Sequence, residues 1–95
     1  MNGDKKKRER KLQTFSGKVI VKKADRDYIF NEGIFRLDVK SENDNELKEI
    51  SVFQRKVSKE IWDKVISDDC IDKKYIFSCE KITAALHLKN WKELP

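Results

Sequence analysis

The spacing of apolar residues changes twice along this chain, and the double change restricts the folds open to it. From Phe15 the period is two. In FSGKVIVKKA (15–24), Val19 and Val21 share one face while Lys18, Ile20 and Lys22 share the other. IFRLDVK (34–40) sets Phe35, Leu37 and Val39 against Ile34, Arg36, Asp38 and Lys40. The polar SENDNE (41–46) has the Asn and Asp that tight turns favour, and LKEISVFQRK (47–56) resumes with Ile50 and Val52 in phase. This close spacing predicts an antiparallel hairpin. Over 57–69, Val57, Ile61, Trp62, Val65 and Ile66 fall instead at helical spacing, beside a Ser58 suited to cap a helix N-terminus. Alternation returns in KKYIFSCEKIT (73–83) and AALHLKNWKEL (84–94). The predicted order is β-β-β-α-β-β.

A mainly β chain of five strands, with one helix between the third and fourth, has the order of an OB-fold, a small Greek-key barrel. Five strands of this size must close or cover their edges, and one amphipathic helix is enough to plug an end of a small barrel. A helix lying across an open sheet is the alternative. The alternation predicts burial of Val19, Val21, Phe35, Leu37, Val39, Ile50, Val52, Phe77, Leu86 and Leu88. Trp62 lies on the helical stripe and reads as core in preference to a ligand platform.

The length accommodates one small domain. Charged residues are 41% of the chain and hydrophobic ones 38%, which is polar but sufficient for a compact core. No apolar run nears the roughly 18 residues that cross a bilayer, and MNGDKKKRERKLQTF lacks the apolar segment of a signal peptide. A cytoplasmic protein without membrane association is expected. The net charge of +5 is unevenly placed. Residues 1–12 carry six basic side chains against two acidic ones, leaving 16 basic and 15 acidic residues for the rest. We read 1–12 as a flexible basic arm and 13–95 as the OB-fold domain. Such an arm either seeks phosphates or solubilises the chain.

Cys70, Cys79 and His87 are the only cysteines and histidine, too few for a structural zinc set and without CxxC or HxxH pairing. Cys79, in YIFSC, reads as a small buried hydrophobe; the alternative, a Cys79–His87 nucleophile pair, has no motif around it. GxxxxGKS/T, GxGxxG and GxSxG do not occur. An enzyme is not expected, nor a metal or cofactor.

GKVIVKKADRDYIFNEGIFRLDV (17–39) resembles the first two strands and intervening loop of single-stranded DNA-binding proteins of the bacterial and phage type. EISVFQRKVSKEIWDKVISDDCIDKKYIFSCEKI (49–82) resembles their third strand, helix and fourth strand. Asp72-Lys73 stands where the family has a Lys-Gly turn, and NWKELP is not the acidic, Phe-ended segment of bacterial members. The resemblance therefore implies a diverged relative, of a phage or mobile element.

A barrel that binds single strands sets cations along the phosphates and aromatic rings against the bases. Arg36, Lys40, Ser51, Phe53 and Arg55 fall on the outward phase of the second and third strands. The resemblance puts Phe53 at the position that stacks on bases in the family; a β-bulge would instead turn it into the core. Segment 24–34 brings Tyr28 and Phe30 near Lys22, Lys23 and Arg26, either as a binding loop or as extended strand with a turn at 31–33. On the last strand His87, Lys89 and Trp91 face away from Leu86 and Leu88, with Trp91 a second platform or a lid over the barrel end. The candidate nucleic-acid-binding set is Lys18, Lys22, Arg26, Tyr28, Phe30, Arg36, Lys40, Phe53, Arg55, Lys89 and Trp91. The expected function is binding of single-stranded DNA, or RNA, in replication, recombination or repair, with self-association left open. The alternative is a protein-interaction module of OB-like or small α+β fold.

Overall fold

The computed structural model describes residues 12–95, so the expected basic arm lies, except for Leu12, outside the described residues. Five strands and one helix follow in the expected order: β1 (Leu12–Asp27), β2 (Glu32–Ser41), β3 (Leu47–Phe53), α1 (Lys59–Ile66), β4 (Lys74–Ile82) and β5 (Ala85–Glu93). The strands form one sheet that closes in a ring in the order β1-β2-β3-β5-β4. Neighbours are antiparallel except β3 and β5, which run parallel through Ile50↔Leu86 and Ser51↔His87. Closure gives every strand two neighbours, which removes the exposed edges an open sheet would carry.

β1 is long because it serves two partners. Leu12–Lys18 pair with β4, and Gly17–Asp27 pair with β2. At Gly17 both partners are held at once. A Cβ there would meet Val39 Cγ1 at 2.5 Å and the Lys40 carbonyl oxygen at 2.8 Å, so the close approach of β2 requires glycine. Three residues further on, Ile20 is the extra residue of a bulge between Val19 and Val21. The strand's facing inverts there. Val21, expected in the core, is 42% exposed, while Lys22, expected outside, turns inward. The backbone of Val19 is bonded instead by the segment before β4. Asp72 N–H donates to Val19 O at 2.8 Å, and Val19 N–H donates to Lys73 O at 3.1 Å.

The interior holds Phe15, Val19, Leu37, Val39, Ile50, Val52, Tyr75, Phe77, Cys79 and Leu88. Phe35 and Leu86, expected to be buried, are half-buried: Phe35 abuts Trp62 at 5.4 Å, and Leu86 lines a cleft at the β4–β5 turn. β3 stops at Phe53, three residues before the expected end, because Gln54–Lys56 form a 3-10 turn. α1 is shorter than 57–69 but begins as expected, with Ser58 Oγ accepting from Ile61 N–H at 3.3 Å. Its Ile61 and Val65 are buried in the core, each contributing about 1.5–3 kcal/mol. Asp68 at φ 68° ends the continuation of the helix.

Candidate functional site

Alternation along β2 and β3 sets Ile34, Arg36 and Asp38 on the outer face, opposite Phe53, Ser51 and Glu49. The parallel seam then places His87 beside Ser51. Phe53 therefore stands outside the ring, where it packs against the His87 ring at a tilt of 32°, with centroids 4.7 Å apart. No bulge turns it inward. It is nonetheless only 8% exposed, because other side chains cover it from above. The Arg55 guanidinium and Lys56 Nζ each lie 5.0 Å from its centroid. Its cross-strand partner Ile34 is 3% exposed, and neither residue belongs to the interior cluster.

Arg55 joins this platform to the β1–β2 turn. Its guanidinium also lies 4.1 Å from the centroid of Phe30 and pairs with Glu32. Arg36 donates from Nε to Asp25 Oδ2 at 2.7 Å and from Nη1 to Ser51 Oγ at 2.9 Å. The Arg36 bond, then the Arg26 backbone N–H, hold the Asp25 carboxyl below the usual range. Lys23 reaches Glu49 at 3.4 Å and Asp38 at 3.6 Å. Ion pairs this exposed contribute little to stability. Lys56 Nζ lies 2.9 Å from His87 Nδ1. An ammonium only donates, so Nδ1 accepts and the ring proton sits on Nε2. Burial first, then the Lys56 charge, push the His87 pKa down, which keeps the imidazole neutral at neutral pH.

Beyond Arg36 and Ser51 the face opens into a cleft of about 740 Å³, lined also by Glu49, Lys48, Lys81 and the β4–β5 turn. That turn has two residues, Thr83 and Ala84, between the paired Ile82 and Ala85. At the other end the β1–β2 ladder runs to Asp27↔Glu32, so the turn falls at Tyr28–Asn31 and not at 31–33. Asn31 takes the left-handed φ of 55° that Asn tolerates.

The structure divides the candidate set. Phe30, Arg36, Phe53 and Arg55 come together on one face, with Arg26 and Tyr28 exposed at the adjoining ribbon end. Lys18 and Lys40 lie in register with each other on a separate flank, and Lys18 is also opposite Lys74. Lys22 is drawn away to α1, donating to Val65 O at 2.6 Å and pairing with Asp68. Lys89 is the exposed extra residue of a second bulge, between Ser78 and Cys79 on the partner strand. That bulge turns Trp91 inward, away from the face of His87. Trp91 stacks on Tyr75 at 4.0 Å and meets Phe77 edge-on at 6.1 Å, as a lid on the core. His87 and Lys56 join the face without having been in the set; Lys48 lines the cleft from the inward phase of β3, its Nζ over the Phe15 ring. The outward phase of His87 was visible in the sequence; its proximity to Phe53 depends on the parallel seam.

Cys79 faces inward, fully buried, and burial pushes its thiol up to about 12. Glu80, not Cys79, is the register partner of His87, so thiol and imidazole occupy opposite faces. Among the described residues, no three His, Cys, Asp or Glu side chains converge as a metal site, and no helix is long and apolar enough to cross a membrane. No protein-family model matches the chain, and no curated protein matches it.

Proposed function

We propose that the closed sheet is an OB-fold barrel and that the protein binds single-stranded nucleic acid, foremost single-stranded DNA, without catalysis. Strand order, the parallel β3–β5 seam and the helix between β3 and β4 support the fold. In that fold the β2–β3 face and the loops flanking it receive oligonucleotides. One observation carries the functional reading: rings and cations alternate across that face, from Phe30 to Arg55, Phe53, Lys56 and His87. Such binding serves wherever DNA is transiently single-stranded, in replication, recombination or repair.

The mechanism is an exchange of partners. Arg55 and Lys56 cover Phe53 in the free protein, and both sit on side chains long enough to swing aside. A base entering over Phe53 takes their place on the ring, while the two cations move to the flanking phosphates. Arg36, released from Asp25, is a third phosphate ligand. Stacking does not depend on base identity, so this mode is tolerant of sequence.

The test is a fluorescence-anisotropy titration with single-stranded DNA, single-stranded RNA and duplex DNA at two salt concentrations. Single strands should bind preferentially, and affinity should fall steeply with salt. The second reading, a protein-interaction module, is favoured by the acidic partners that Arg36, Arg55 and Lys22 already have. Absence of binding to every nucleic acid at low salt would select it.

A further inference from the structure

The β1–β2 ribbon carries three consecutive apolar residues where the fold covers them least. Tyr28, Ile29 and Phe30 are 83%, 87% and 61% exposed. Turns ordinarily take Gly, Asn, Asp or Ser, and of the four turn residues only Asn31 is of that kind. None of the three packs on the interior cluster. Their exposure therefore has no explanation in the stability of the ring, and a contiguous exposed apolar patch marks a contact surface.

The chemistry behind the tip indicates what it contacts. Phe30 lies against Arg55, which also lies over Phe53, so the tip ends the same column of rings and cations. Arg26 stands exposed one ladder pair behind the turn. Arg55 is paired with Glu32 in the free protein. Once it leaves Glu32 for a phosphate, as in the exchange above, Arg55 and Arg26 set two cations behind an apolar tip. That arrangement matches the end of a duplex, where a flat base pair is flanked by two phosphate backbones. Apolar side chains inserted against base steps are an established way for proteins to engage DNA. A protein partner would cover the same side chains without needing the cations behind them.

We propose that the Tyr28–Ile29 tip is a wedge that seats on the terminal base pair where a duplex meets the single strand held over Phe53. This rests on the single-strand reading given above. The protein would then prefer single-strand/duplex junctions to either component alone.

The full chain is titrated against a single-stranded oligonucleotide, the same oligonucleotide extended into a hairpin duplex, and a blunt duplex. The parent should bind the tailed hairpin at least about tenfold more tightly than the single strand, the scale of one fully covered Ile side chain. Ile29→Ser should lose that preference and keep the parent's single-strand affinity. A 2-aminopurine in the terminal pair should change fluorescence with the parent and not with the variant. Equal parent affinity for tailed and single-stranded probes, or a preference retained by Ile29→Ser, would overturn the wedge alone. Sedimentation showing a parent dimer that Ile29→Ser dissociates would overturn it in favour of a second copy. A parent that binds none of the probes would remove the single-strand reading, and the wedge with it.

Discussion

Phe53 packs at a tilt against His87 across the parallel seam between β3 and β5, with 4.7 Å between the ring centroids. The contact lies outside the ring, so two residues about a third of the chain apart build a surface platform and not a piece of core. Its cover of Arg55 and Lys56 is cationic, as the proposed exchange of that cover for a base and its flanking phosphates requires.

Phe53→Ala should lower single-strand affinity by about 1–3 kcal/mol, the range of one stacked ring. Its stability loss should be well below the roughly 3–5 kcal/mol of a core Phe→Ala, for which Phe77→Ala is the internal reference. Anisotropy and thermal melts on both variants check this. Equal destabilisation by the two would place Phe53 energetically in the core, and unchanged affinity would take it out of the site.

Arg36→Gln and Arg55→Gln should each weaken binding and reduce the slope of log affinity against log salt by about one phosphate contact. Phe53→Ala should leave that slope nearly as it is. A salt series on the three variants separates the roles, and an unaltered slope for both arginine variants would contradict the proposed exchange.

His87, the sole histidine, gives a clean pH test. Its folded pKa is pushed below the ordinary 6.5, so the unfolded chain takes up the proton first. Stability should be full above about pH 6.5 and fall as the pH drops through the window down to the folded value. The lowered Asp25 carboxyl adds a loss only below 3.8, outside that window. Melts between about pH 7.5 and about pH 5.5 should show the decline, and His87→Gln should flatten it. Lys56→Met should raise the imidazole pKa as followed by NMR. An imidazole that titrates at or above its ordinary value would refute the Lys56 contact.

Lys18 faces Lys40 on one side and Lys74 on the other, three lysines in register of which Lys74 is paired with Glu42 at 2.9 Å. Direct opposition of this kind is destabilising, so Lys18→Glu should raise stability by about 0.2–1 kcal/mol. The gain should shrink with added salt. A strand tracking round this flank would also lose affinity in the variant, whereas one confined to the Phe53 face would lose little.

Gly17→Ala should destabilise the ring by about 1–3 kcal/mol through overpacking, since its Cβ would press on Val39 and the Lys40 carbonyl. Gly33→Ala is the control, with nothing within 4 Å of its Cβ. Chemical denaturation of both variants is the measurement, and equal stability would show that β2 yields at Gly17.

The order of elements was legible in the sequence because it depends on near neighbours. Alternation in IFRLDVK selects Leu37 and Val39 for the interior, helical spacing places Ile61 and Val65 against it, and Ser58 sets where the helix begins. The outward phase of Phe53 follows the same logic, because Ile50 and Val52 had claimed the inward one. Closure of the ring and its strand order were expected only as one of two arrangements that the pattern allows.

Three features were decided by tertiary structure. The bulges at Ile20 and Lys89 each add one residue without interrupting the local apolar pattern, and so moved Val21, Lys22 and Trp91 to faces opposite those that alternation predicts. The cover over Phe53 depends on where the Gln54–Lys56 turn sends Arg55 and Lys56. The seam that brings His87 to Phe53 joins strands separated by the helix and by β4. Alternation tells which side of a strand a residue occupies, but which strand lies beside it is set when the whole sheet closes and every backbone N–H and C=O must find a partner.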